Sequence, residues 1–92
     1  MIIIAGPCQL ESKEHALQIA YTMKEICDDN GFDYVFKSSF DKANRTSIKS
    51  NRGIGLNNSL NIFKELKKAY KCSIITDVHE AFQCEEVSHF VD

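Results

Sequence analysis

Paired cysteine motifs are missing from this 92-residue chain. Cys8, Cys27, Cys72 and Cys84 stand far apart and none forms a CxxC pair, which argues against a zinc-finger framework. Low-complexity tracts and interdomain linkers are also missing. Apolar runs are short, and none approaches the ~20 residues of a membrane span. The opening Met1-Ile2-Ile3-Ile4-Ala5 has no basic lead and too few apolar residues for a signal peptide before Gly6-Pro7 breaks it. The expectation is a cytoplasmic chain with reduced thiols and no membrane partner. Neither sign of charge dominates: the formal net charge of -2 points away from nucleic acid as a partner.

What is present is an ordinary globular composition, 43% hydrophobic and 26% charged, at a length that allows one domain with a modest core. Ile2 to Ala5 is a continuous apolar run, the pattern of a strand buried on both faces. Ser12 is a helix N-cap candidate. Ala16, Leu17, Ile19, Ala20, Met23, Ile26 and Cys27 then recur at helical spacing, which predicts a helix from about Lys13 to Asp29, stopped by Gly31. Tyr34-Val35-Phe36 reads as a second strand ending at Lys37. After a long connection closed by Gly53 and Gly55, Leu56, Leu60, Phe63, Leu66 and Tyr70 mark a second amphipathic helix. Cys72 to Thr76 reads as a third strand, Ala81 to Ser88 as a short helix, and Phe90-Val91 as the opening of a fourth strand. Strands alternating with helices imply an α/β fold with a parallel sheet and right-handed crossovers.

The connection after the second strand spans roughly eighteen residues, against the usual ~2–6. It starts Lys37-Ser38-Ser39-Phe40-Asp41-Lys42-Ala43-Asn44-Arg45-Thr46-Ser47. Three cations among hydroxyls and amides suit the oxygens of phosphate and carboxylate groups. Charge is uneven: residues 37–52 hold five basic residues and one acid, while the remainder holds six basic and twelve acidic residues. A local excess of cations on an acidic background fits a small anionic ligand at one place. Three polar clusters follow strands: Cys8 after the first, Lys37, Ser39 and Lys42 after the second, Asp77 and His79 after the third. In parallel α/β folds the carboxyl ends of the strands share one face, and ligands bind there.

Each residue also has a bland reading. Cys8 is either a small buried apolar residue or a thiolate ligand, and a metal site would need at least two further donors. Asp77 is either a helix N-cap or a site carboxylate. His79 is either a structural hydrogen-bonder or a base. Lys42 and Arg45 taken singly suit solvated loop charges. Lys37, ending a buried strand, calls for an anionic partner. His15 and His89 read as helix-surface residues, and Glu11 and Ser12 as servants of the helix start.

Taken together, Ala5-Gly6-Pro7-Cys8 with Glu11-Ser12, Phe36 to Arg45, Arg52-Gly53, Gly55-Leu56 and Thr76-Asp77-Val78-His79-Glu80 resemble the 3-deoxy-D-manno-octulosonate-8-phosphate synthase family. The resemblance covers the whole chain in order. The related 3-deoxy-D-arabino-heptulosonate-7-phosphate synthases share the AGPC opening but typically carry Lys-Pro-Arg where this chain reads Lys37-Ser38-Ser39. They remain the alternative, as does a non-catalytic phosphate-binding α/β module.

The resemblance implies a (β/α)8 TIM barrel, of which residues 1–92 would be the N-terminal part: three βα units and the start of the fourth strand. It implies condensation of phosphoenolpyruvate with arabinose 5-phosphate, with phosphate released, for lipopolysaccharide synthesis. It also implies a tetrameric homo-oligomer. Lys37, Ser39 and Lys42 match positions that hold phosphoenolpyruvate. Asn44, Arg45 and Thr46 match positions that hold the sugar phosphate, across a subunit boundary. Asp77 and His79 match residues near the sugar's reacting end. Cys8 matches a metal ligand, which implies the branch that uses a divalent ion (Zn2+, Fe2+ or Mn2+). Thr46 stands where the family usually has Ser, and Lys49 and Asn51 replace a more common His and aromatic residue. A whole barrel needs ~250 residues, so the isolated chain is expected to lack turnover.

Overall fold

A computed structural model of the chain describes residues 1–41 and 54–92. The elements run β1 (Ile2–Ala5), α1 (Lys13–Asn30), β2 (Asp33–Lys37), α2 (Leu56–Tyr70), β3 (Ser73–Ile75) and α3 (Gln83–Ser88). The three strands form one parallel sheet in the order β1-β2-β3. Ile4 lies opposite Val35, and Val35 opposite Ser73.

Local chemistry sets the helix boundaries. The Ser12 hydroxyl accepts from the His15 N–H at 3.1 Å, satisfying one of the donors that a helix start leaves open. At the other end Gly31 takes φ 71°, a left-handed conformation that costs glycine little. The Phe32 N–H then reaches back to the Cys27 carbonyl at 2.8 Å, which closes the last turn. In α2, Lys67 and Lys68 occupy the final turn, where positive charge complements the helix dipole.

Alternation along the strands divides the sheet into two unlike faces. Ile3, Ala5, Tyr34, Phe36 and Ile74 face the helices. They meet Ala16, Ala20 and Cys27 of α1 and Leu60, Phe63 and Leu66 of α2 in one apolar cluster. Each large side chain fully buried there contributes ~1.5–3 kcal/mol. The Tyr34 hydroxyl donates to the Ala5 carbonyl at 2.8 Å, and burial holds its phenol well above the usual range. Tyr70 donates across to the Leu17 carbonyl at 3.3 Å, joining α2 to α1.

The opposite face is open among the described residues. Ile2 is 61% exposed and Ile4 54%, so β1 is not buried on both sides as its apolar run predicts. The reason is that α1 and α2 pack on the same side. Helices on one face of a sheet in sequential strand order build the wall that a (β/α)8 barrel repeats. A doubly wound sheet would place helices on both faces.

The expected fourth strand does not form at Phe90-Val91. Both residues donate their N–H groups to the Val87 carbonyl, at 2.9 and 3.2 Å, and so extend the end of α3 instead. Only Asp92 reaches the sheet. Its N–H donates to the Ile74 carbonyl at 2.8 Å and its carboxylate accepts from the Ile74 N–H at 2.9 Å. Lys67 lies 2.7 Å from that carboxylate and holds it below the usual range. β3 and α3 are each shorter at both ends or at one end than their sequence patterns predict, and α1 runs one residue further. His15 is half-buried rather than on the surface, and its Nδ1 has no hydrogen-bond partner.

Gly6 allows the chain to leave β1 across the end of β2. A Cβ there would lie 2.1 Å from the Lys37 carbonyl oxygen. Gly6→Ala should therefore push the two strand ends apart and cost about 1–3 kcal/mol, read as a lowered denaturation midpoint. Cys8 and Cys84 are exposed, whereas Cys27 and Cys72 are buried, and burial pushes the Cys72 thiol up. A thiol-reactive disulfide should label the first pair rapidly and the second only as the fold opens.

Candidate functional site at the carboxyl end of the sheet

Parallel strands deliver their outgoing ends to one rim, and here hydrogen bonds stitch the three ends together. The Ser39 N–H donates to the Cys8 carbonyl at 3.2 Å, and the Leu10 N–H donates to the Ser39 carbonyl at 2.9 Å. Gln9 and Ser39 thereby form an isolated parallel bridge beyond the regular ladder. On the other side of β2, Ser38 donates to the Ile75 carbonyl at 3.4 Å. The Thr76 hydroxyl donates to the Ser38 carbonyl at 2.7 Å. Ser38, Ser39 and Phe40 are each about 1% exposed. The start of the long connection is thus packed rim, not a solvated loop.

Side chains add a second layer. The Ser39 hydroxyl donates to the Asp77 carboxylate at 2.5 Å. The other Asp77 oxygen lies 3.2 Å from His79 Nε2, which also lies 2.6 Å from the Asp41 carbonyl oxygen. Both neighbours of Nε2 are acceptors, so Nε2 carries the proton and donates. The Phe40 ring sits 6.4 Å from the imidazole, centroid to centroid, at a tilted angle. A backbone carbonyl from the second strand's connection and a carboxylate from the third strand's therefore orient one imidazole. Such an arrangement holds the ring in one orientation and places a negative charge beside it.

Several readings from sequence change here. Asp77 is not a helix N-cap, because α3 begins at Gln83 and Phe82 caps it. Its carboxylate spans Ser39 and His79 instead. Cys8 is exposed, so the reading of a buried apolar residue fails. No group of three or more His, Cys, Asp or Glu side chains suited to a metal ion occurs among the described residues. Lys37 is exposed on the open face rather than buried. No carboxylate lies within ion-pair distance of it among the described residues. Lys42, Asn44, Arg45 and Thr46 lie outside the described residues.

Sequence reasoning missed Gln83. Its side-chain oxygen accepts from the His79 N–H at 2.9 Å and from the Glu80 N–H at 3.1 Å. A glutamine at a helix start carries no distinctive signal, although its spacing of four from His79 matches the reach of its side chain. Phe40, too, carries no site signal in the sequence, yet it is buried with its ring beside the imidazole.

Removing the Asp77 carboxylate leaves the buried Ser39 hydroxyl and His79 Nε2 without that acceptor. Asp77→Ala should lower stability by about 1–3 kcal/mol, measured by urea unfolding, while the helical circular dichroism signal is retained.

A family model described as the DAHP synthetase I family matches residues 1–92. Over 90 residues, 98% of the chain, it is 52% identical to proteins named 2-dehydro-3-deoxyphosphooctonate aldolase from Agrobacterium fabrum and from Bartonella henselae. A protein of that name from Brucella anthropi is 51% identical over the same share. The chain spans about a third of the length of these curated relatives, 32% in each case. With a matching model over its full length and relatives at this identity, the chain belongs to the DAHP synthetase I family.

Proposed function

We propose that this chain supplies the first three βα units of a (β/α)8 barrel enzyme that condenses phosphoenolpyruvate with arabinose 5-phosphate. The products are 3-deoxy-D-manno-octulosonate 8-phosphate and phosphate, and the pathway served is lipopolysaccharide synthesis. One observation carries the reading. Cys8, Lys37, Ser39, Asp77 and His79 come from three separate strand ends and sit along one rim. The names of the relatives favour the octulosonate product over the heptulosonate one.

The reaction brings two phosphorylated anions together, so cations must offset their repulsion. Lys37, solvent-accessible on the open sheet face, is free to meet the phosphate or carboxylate of phosphoenolpyruvate. Lys42 acts with it, and Ser39 shapes the same wall through its bond to Asp77. Asn44, Arg45 and Thr46 hold the sugar phosphate. Asp77 and His79 lie toward the sugar's reacting end, where the imidazole, oriented through its Nε2–H, can accept a proton at Nδ1. Holding the two substrates side by side supplies much of the remaining acceleration.

Cys8 offers one thiolate to a divalent ion, with Zn2+, Fe2+ and Mn2+ as candidates. The described residues do not complete a ligand set. A complete site, and a homotetramer in which Arg45 serves across a subunit boundary, belong to a molecule of the relatives' full length. In such a molecule residues 1–92 form part of a single barrel domain.

The test is a chimera in which this chain replaces the matching third of the Agrobacterium fabrum relative. Phosphate release from phosphoenolpyruvate with arabinose 5-phosphate is the expected result. Release only with erythrose 4-phosphate would assign the heptulosonate reaction, and a folded chimera inert with both sugars would leave a binding module. In an active chimera, Lys37→Met should lower kcat/KM by roughly 10- to 150-fold, the worth of a charge-assisted contact of about 1.5–3 kcal/mol.

A further inference from the structure

We propose that Gln83 is a positioning residue for His79. This inference rests on the reading above only in taking His79 as part of the site. Gln83 is 7% exposed, and its side-chain oxygen receives two consecutive backbone N–H groups, from His79 and Glu80. Those N–H groups lie in the turn between β3 and α3, outside the ladder and the helix. The Glu80 carbonyl accepts in return from the Gln83 N–H at 3.0 Å. The turn is therefore closed by side chain and backbone together.

Fixing those two peptide groups fixes the direction in which the His79 Cα–Cβ bond leaves the chain. The imidazole then meets the Asp41 carbonyl and the Asp77 carboxylate with the same nitrogen. Gln83 is itself anchored. It opens α3, and Val87, one helical turn further on, is 3% exposed in the apolar core. Rigidity passes from the core through Val87 and α3 to Gln83, then to the turn and to the ring. Without the amide oxygen the turn would exchange its partners for water, and the ring would sample both tautomers.

The test uses nitrogen NMR of the His79 ring in the 92-residue chain, at a pH where the imidazole is neutral. The unaltered chain should show one dominant Nε2–H tautomer, with the His79 and Glu80 amides protected from exchange. Gln83→Met keeps the side chain's length but removes the acceptor, and should bring the two ring nitrogens toward an averaged shift. Gln83→Glu keeps an acceptor and should restore the single tautomer.

The proposal is overturned if folded Gln83→Met keeps the original tautomer, or if Gln83→Glu behaves like Gln83→Met. Rapid exchange of both amides in the unaltered chain would also sink it, because the bonds to Gln83 would then be absent. A Gln83→Met chain that does not fold assigns a purely structural role and equally defeats it. In the active chimera, Gln83→Met should reduce kcat on the order of 10-fold, with KM changed less than about twofold. An inert parent chimera would defeat the functional reading alone, since the tautomer readout needs no turnover.

Discussion

Ser39 is where three segments of chain become one rim. Its N–H and carbonyl bond the segment after β1, and its hydroxyl bonds the carboxylate that follows β3. A buried serine with all three polar groups partnered resists displacement, because breaking any one bond would leave a buried group unsatisfied. Cys8, Lys37, Asp77 and His79 owe their common location to this seam as much as to the parallel strands beneath it.

The seam requires a rigid floor, and the one-sided core provides it. α1 and α2 cover one face of the sheet, with Phe36, Phe63 and Ile74 fully buried between them. That packing holds the strand register, so the ends of β1 and β2 arrive level and the Gly6 crossing can sit against the Lys37 carbonyl. The uncovered face carries Ile2, Ile4, Lys37 and Ile75.

Electrostatics on the rim divide into two parts. Lys37 is exposed at the end of β2. The Asp77 carboxylate is engaged by Ser39 and His79, and its role is to orient the imidazole proton. Gln83 works from behind by fixing the turn. An exposed cation thus shares the rim with an imidazole held in one orientation.

Much of the framework was legible in the residues. Ser12 and Gly31 mark the ends of α1 by their local chemistry, and Leu56 to Tyr70 marks α2 by apolar spacing, because caps and periodicity act within a few residues. The identity of Lys37, Asp77 and His79 as rim residues followed from the βα alternation alone. Other features depended on contacts distant in sequence. The apolar run of β1 cannot reveal that helices cover only one side, Asp77 looks like a cap until Ser39 approaches it from 38 residues away, and Gln83 looks like any helix-start glutamine until its oxygen meets the turn. Local patterns determined which segments became strands and helices, since backbone hydrogen bonds and caps are near-neighbour interactions. Only the tertiary structure decided which polar groups meet and which nitrogen of His79 holds its proton, because those outcomes rest on partners that the chain brings together only when it folds.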